Sequence, residues 1–324
     1  MCDERNLENV LDDDDYEDDK NDSMTPQEVV DQIAKGGEQV IIKWHNIIRK
    51  ESPKFDAFLE PANMLKNRYP NVILYDQTRV KLLGDKEGDD YYHASYVDSY
   101  DRADNYILAQ APFNETTESD FWRMIIQTGT KLIVLLTDIH DQEGNRLVKH
   151  FWPESKANSR SYSETNIKIN YAKSGVTPLY DWYNFSISNI LDKRMDAVTV
   201  SMLHYRKWID DKTIPDDLLE FRSEVGNCYF LLISSNTKNG YVGPVCLLCP
   251  TGVHRSGTYA VLDIVLDRVN AEKKVGLLET ASIVRKQRYG CMTYYSHYKH
   301  IADLIVRYAI ATGIVDIRQI NRKE

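Results

Sequence analysis

Cys249, Arg255 and Ser256 stand in the segment Leu248-Cys-Pro-Thr-Gly-Val-His-Arg-Ser-Gly257, a spacing able to move a phosphoryl group. The apolar run before it, 243–248, reads as a buried strand. The stretch from about Ser256 to Asn270 reads as a helix with Val261, Leu262, Ile264, Val265 and Val269 apolar. A strand-loop-helix turn aims several backbone N–H groups and the positive end of a helix at one point, which suits an anion. The cradle would be Pro250, Thr251, Gly252, Val253 and His254, with Gly252 relaxing the turn so that the amides converge. Arg255 can grip two phosphate oxygens with its planar fork. A thiol in that field is favoured as thiolate, and a thiolate facing phosphorus is a nucleophile. The hydroxyl of Ser256 can reach back to the sulfur and ease its departure in a second step. The competing reading is a buried cysteine at a strand end beside a helix-capping arginine. The unbroken order C-x5-R-S-G-T between an apolar strand and an apolar helix argues against it.

The chain around this loop has 324 residues, enough for one large domain or two modest ones. Its hydrophobic fraction of 42% supports a sizeable core. The net charge of -9 disfavours nucleic acid as partner, because phosphate backbones select basic surfaces. Much of that charge is local: Asp12, Asp13, Asp14, Asp15, Glu17, Asp18 and Asp19 crowd a start that offers almost nothing to bury, and residues 1–23 are read as a disordered acidic tail. No apolar leader and no run of about 18 apolar residues is present, so neither a secretory signal nor a membrane span is read. The five cysteines form no zinc pattern, and their odd number without a signal points to reduced, cytosolic thiols. No metal or cofactor is implied.

The elements that must hold the loop follow from periodicity. Thr25–Lys54 reads as mostly helix, opened by Thr25-Pro26 with Glu28 as a capping box, and Gly36-Gly37 splits it if it is two helices. Buried strands are expected at 131–137 and 243–248, and an alternating one at 197–201. Helices are expected at 275–288 and 294–311. The fold class that results is α/β (α+β): one domain, residues 24–311, with a central mixed sheet flanked by helices, and a C-terminal tail at 312–324.

The loop resembles the signature H-C-x-x-G-x-x-R-[ST]-G of the protein tyrosine phosphatases, non-receptor type. The likeness runs from about Phe55 to about Ala309. Lys66-Asn-Arg-Tyr-Pro-Asn-Val72 is similar to the family's phosphotyrosine-recognition loop, Asp90-Tyr-Tyr-His-Ala-Ser-Tyr96 to its D-Y-I-N-A-S, Tyr106-Ile-Leu-Ala-Gln-Ala-Pro112 to its Y-I-A-x-Q-G-P, Asp120-Phe-Trp-Arg-Met124 to its D-F-W-R-M, and His150-Phe-Trp-Pro153 to its Y-W-P. The resemblance implies the tyrosine phosphatase fold, phosphotyrosyl proteins as substrates, a monomer and no cofactor. Tyr69 would stack on the substrate ring and set a pocket depth that starves phosphoserine. Asn71 stands where the family usually clamps the substrate backbone with an Asp.

A phenolate leaving group calls for a general acid, which the family carries on a mobile W-P-D loop. The matching stretch is Lys207-Trp-Ile-Asp-Asp-Lys-Thr-Ile-Pro215. Counted from Trp208, the acid is Asp210, with Asp211 as its substitute; Ile209 replaces the proline. Leu248 replaces the histidine that helps hold the thiolate charge, His93 replaces the Asn of D-Y-I-N-A-S, and Ala111 a Gly. Thr293 and His297 fall where the family places the glutamines that position the hydrolytic water. Two functions follow. One is a working phosphatase passing through a phosphocysteine, with Cys249 as nucleophile. The other is an impaired pseudophosphatase that binds and shields phosphotyrosyl proteins. This pattern of departures is similar to the phosphatase-like proteins of bracoviruses, which would imply action in the cytoplasm of a host cell, on its signalling.

Overall fold

The computed structural model describes residues 24–47, 54–84, 89–191, 197–235, 242–316 and 318. The acidic tail expected at 1–23 lies outside the described residues, as do residues 317 and 319–324 of the tail expected at 312–324.

Among the described residues, nine strands form one mixed sheet. In chain order they are β1 (Arg79–Lys81), β2 (Tyr91–Val97), β3 (Tyr106–Gln110), β4 (Leu132–Leu135), β5 (Arg160–Tyr162), β6 (Ile167–Val176), β7 (Asp181–Asn189), β8 (Val198–His204) and β9 (Val245–Cys249). Their spatial order is β1-β2-β3-β9-β4-β8-β7-β6-β5. The middle is parallel, with β9 between β3 and β4 and β4 beside β8, and both flanks are antiparallel. Parallel strands buried on both faces need apolar side chains throughout, and β4 and β9 are fully buried along their length. This is why both were legible as continuous apolar runs.

Among the described residues, eight α-helices surround the sheet: α1 (Pro26–Gly36), α2 (Glu38–Ile47), α3 (Asp56–Leu59), α4 (Glu115–Gln127), α5 (Leu218–Ser235), α6 (His254–Glu272), α7 (Leu277–Gln287) and α8 (Tyr295–Ala311). The first expected helix is two, divided at Gly37, whose φ of +57° suits glycine, and Thr25 with Glu28 makes the expected capping box. The β5–β7 ribbon and α5 were not anticipated by the periodicity.

Alternation along β9 sorts its side chains between two cores. Val245, Leu247 and Cys249 join the layer beneath α6, α7 and α8. Cys246 and Leu248 join the opposite layer, with Phe121 and Trp122 of α4 and Phe151 and Trp152. Phe121 lies edge-on to Phe151 at 5.2 Å and to Trp122 at 5.3 Å. Leu248 thus faces aromatic hydrocarbon, where a leucine packs without leaving a polar group to satisfy.

Candidate active site

The loop between β9 and α6 is held from three sides. Its entry is pinned to neighbouring strands: the amides of Ala111 and Leu136 donate to the carbonyls of Cys249 (3.0 Å) and Leu248 (2.8 Å). Gly252 has φ +65° and lies against β3, where an added Cβ would stand 2.3 Å from the Ala109 carbonyl carbon, so only glycine fits. From below comes Arg288, a fully buried arginine that the sequence reading passed over. It donates to the carbonyls of Gly252 (3.0 Å) and Thr251 (3.4 Å), to Ser95 Oγ (3.2 Å) and to His93 Nδ1 (2.9 Å). Burial pulls the Arg288 guanidinium down to about 10, still cationic at neutral pH, so a positive charge sits beneath the loop.

The Arg288 contact fixes the tautomer of His93. Nδ1 accepts, so Nε2 carries the proton and donates to the Val72 carbonyl at 2.8 Å. Burial, and then the charge of Arg288, pushes His93 down to about 3, which keeps it neutral. The substitution of Asn by His therefore ties the recognition loop to the phosphate loop through one buried ring. The same recognition loop hangs on the last residue of β3: Gln110 accepts from the Arg68 amide (2.9 Å) and donates to the Lys66 carbonyl (3.2 Å).

Within the loop, Cys249 is fully buried and accepts from the Gly252 amide at 3.2 Å. The amides of Val253 (3.2 Å) and His254 (3.4 Å) donate to Thr251 Oγ1, which lies 3.7 Å from the Cys249 sulfur. Thr251 thereby takes the first amide of α6, while the next amides of that helix lack intrahelical acceptors. Pro250 is buried and leads the turn. Ser256 is fully buried with its Oγ in no hydrogen bond. The two other cysteines near the loop are inert by burial: Cys246, on the opposite face of β9, is pushed far up, and Cys291 to about 12.

Arg255 is 2% exposed. Its Nη1 donates to Thr137 Oγ1, and its Nε lies 2.9 Å from Asp211 Oδ1. Asp211 Oδ2 also meets His254 Nδ1 at 3.2 Å. Burial would raise Asp211, but the His254 hydrogen bond and the Arg255 charge outweigh it and hold the carboxyl below its ordinary value. Asp210 does something else. Its carboxylate accepts from the amides of Lys212 (2.7 Å) and Thr213 (2.8 Å) and from Thr213 Oγ1 (2.7 Å), an Asx turn that shapes the loop around 208–215. The structure thus brings the substitute acid, Asp211, onto Arg255 and turns Asp210 back into its own loop.

Tyr69 is half-buried beside the charges of Cys249, Asp211 and Arg255, and burial raises its phenol above the ordinary range. Arg68 stacks over its ring at 5.1 Å. Asn71 is exposed. Thr293 is exposed and its hydroxyl donates to the Gly290 carbonyl at 2.7 Å. His297 is 1% exposed and packs 6.3 Å from Trp208; its Nδ1 pairs with Thr258 Oγ1 at 2.8 Å, and burial, then His254, pushes it down to about 4. The sequence-chosen residues Tyr69, Cys249, Thr251, His254 and Arg255 therefore converge. Asn71 and Thr293 are exposed, and Asp210, which still feels the charge of Arg255, makes its hydrogen bonds within its own loop. Arg288 and Thr137 were missed: a single polar residue at the end of a helix or strand has no periodic signature.

A family model described as protein-tyrosine phosphatase matches residues 63–307, well over half of the chain. The receptor-type tyrosine-protein phosphatase zeta of Rattus norvegicus is 34% identical over 261 residues, covering 78% of this chain and 11% of that protein. The receptor-type tyrosine-protein phosphatase C of Homo sapiens is 32% identical over 255 residues, covering 77% and 18%. The receptor-type tyrosine-protein phosphatase alpha of Homo sapiens is 30% identical over 240 residues, covering 72% and 28%. The chain spans between about a tenth and a third of the length of these relatives. Among its described residues, no helix is long and apolar enough to cross a membrane.

Proposed function

The chain belongs to the protein tyrosine phosphatase family, and from that membership we propose that it hydrolyses phosphotyrosine in proteins through a phosphocysteine on Cys249. The observation that carries the reading is the approach of Asp211 to Arg255 directly above the loop that holds Cys249. A phosphate gripped by Arg255 and the first amides of α6 places its phosphorus before the sulfur and its leaving oxygen toward Asp211. Cys249 attacks and the S–P bond forms as the P–O bond to tyrosine breaks. Asp211, protonated in the substrate complex, gives its proton to the phenolate. Arg255, the loop amides and the buried charge of Arg288 stabilise the extra negative charge of the transition state. Tyr69 packs on the substrate ring. Water then releases phosphate.

The reading extends to phosphotyrosyl proteins of a cytosol. The likeness to bracovirus proteins is its sole support for a host cell's cytosol, and family habit its support for a monomer.

A second reading, a phosphotyrosine-binding module that turns over little, is favoured by one observation. Thr293, where the family's glutamine is expected, spends its hydroxyl on Gly290 and offers no amide to a water. Hydrolysis of para-nitrophenyl phosphate and of a phosphotyrosyl peptide separates the two. Turnover that vanishes in Cys249→Ser supports the enzyme. A silent native chain that still binds the phosphopeptide, and loses it in Arg255→Ala, leaves only the binding module.

A further inference from the structure

We infer that Tyr294 is a specificity-determining residue: its ring, resting on His254, forms the wall of the substrate cleft across from Tyr69, so that the ring of a phosphotyrosine enters between two tyrosines; this rests on the phosphotyrosine reading above. The loop that carries Tyr294 is built onto the helix that follows the phosphate loop. Cys291 lies against Gly257 in the first turn of α6, where an added Cβ would stand 2.5 Å from its Sγ. Arg285 Nη1 donates to the Cys291 carbonyl at 2.7 Å. Met292 is buried with φ +58°, and its carbonyl meets His45 Nε2 at 2.9 Å. The backbone leading to Tyr294 is therefore fixed by the core, and its side chain emerges over the first residue of α6.

There the ring meets His254, with centroids 4.7 Å apart at an interplanar angle of 59°, and His297 at 5.5 Å and 73°. His254 Nδ1 lies 3.2 Å from Asp211 Oδ2, and Asp211 Oδ1 lies 2.9 Å from Arg255 Nε. A short chain of contacts thus joins Tyr294 to the arginine that grips phosphate. Asp211 acts on both tyrosines. Burial and then the charge of Asp211 raise the Tyr294 phenol; burial first raises that of Tyr69, with Cys249 and Asp211 adding to it. Both rings therefore border the space above Arg255 where the ester oxygen of a bound phosphate lies. The fold itself asks little of this ring: Tyr294 is 37% exposed and precedes α8 without a side-chain cap. Inorganic phosphate fills the loop and reaches neither tyrosine. An aryl phosphate adds a flat apolar ring that both can cover, and an aromatic contact of this kind contributes about three- to tenfold in affinity. The wall thus selects aryl over alkyl phosphates, and adds to the depth that Tyr69 sets.

Isothermal titration of the Cys249→Ser chain, which cannot form a phosphocysteine, tests this with a phosphotyrosyl peptide and with inorganic phosphate. Adding Tyr294→Ala should weaken the peptide about three- to tenfold and leave inorganic phosphate within about twofold. Tyr294→Phe, which keeps the ring, should retain both affinities. Unchanged peptide affinity in Tyr294→Ala overturns the inference. So does a loss of phosphate affinity in step with that of the peptide, which would make Tyr294 a support of the loop and not a wall of the cleft. A Cys249→Ser chain with Tyr294 in place that binds no phosphopeptide would remove the phosphotyrosine reading itself, a different outcome from either.

Discussion

The phosphate loop and the acid loop lie against each other and are held in opposite ways. The phosphate loop is fixed by the core: Cys249, Gly252, Val253 and Ser256 are buried, and Arg288, Ala111 and Leu136 tie its backbone from below and from both neighbouring strands. The acid loop rests on Trp208 and Ile214 and otherwise on charges, Asp211 to Arg255 and His254, with Asp210 shaping its turn. Packing holds a geometry at all times, whereas the ion pair of Asp211 with Arg255 can exchange when an anionic ligand competes for the guanidinium. The proposed nucleophile is thus built into the fold, and the proposed acid is attached to it.

The sharpest way to test that division is Asp211→Ala. Loss of the acid should lower kcat for a phosphotyrosyl peptide about 10²–10⁴-fold while the thermal midpoint stays near the native one. An unaffected kcat would remove Asp211 from the first step. Arg288→Met strikes the other side. Withdrawing a buried, multiply bonded cation should cost about 3–5 kcal/mol of stability, seen as a fall in the urea midpoint, because the Gly252 and Thr251 carbonyls and His93 lose their donor. A native-like midpoint would show that the phosphate loop does not depend on its underside.

The histidines add a pH test of the same contrast. Burial holds His93 at about 3, His204 at about 4 and His297 at about 4, against roughly 6.5 unfolded. Their folded values are depressed, so the unfolded chain binds more protons below pH 6.5 and stability falls as pH drops through that window. The loss should reach about 2 kcal/mol per histidine at pH 5. Denaturant titrations from pH 7.5 to 5 check it, and a flat profile would contradict the buried, neutral state. The smallest effect is expected from Asp210→Ala. Removing an Asx turn should cost about 1 kcal/mol and lower kcat less than tenfold. A loss as large as that of Asp211→Ala would return the acid to Asp210.

Much of the scaffold was legible because its signals are strong. The buried strands β4 and β9 are continuous apolar runs, and α6, α7 and α8 keep helical spacing. The β6–β7 ribbon was not, since few of its residues are buried and its alternation is broken where the register shifts between Tyr171 and Lys173. In α5, Phe230, Leu231 and Ile233 are exposed, which blurs the apolar stripe that a sequence reading needs. The loop of Cys249 and Arg255 was readable from its spacing together with the apolar strand before it and the apolar helix after it. The choice between Asp210 and Asp211 was not. Counting from Trp208 favours one and counting back from Pro215 favours the other, and only the turn bonds of Asp210 settle which carboxylate faces inward.

The alternation of β9 has one last consequence: this chemistry depends on parity. Within five residues the strand carries two thiols, Cys246 and Cys249, an odd number of steps apart and so on opposite faces of the sheet. A single-residue insertion or deletion inside β9 would leave every residue type in place and exchange the two sides. The Cys249 sulfur would then point into the aromatic layer of α4, and a leucine would stand at the mouth of the loop in its place. An even change would keep the sides and only shorten or lengthen the reach.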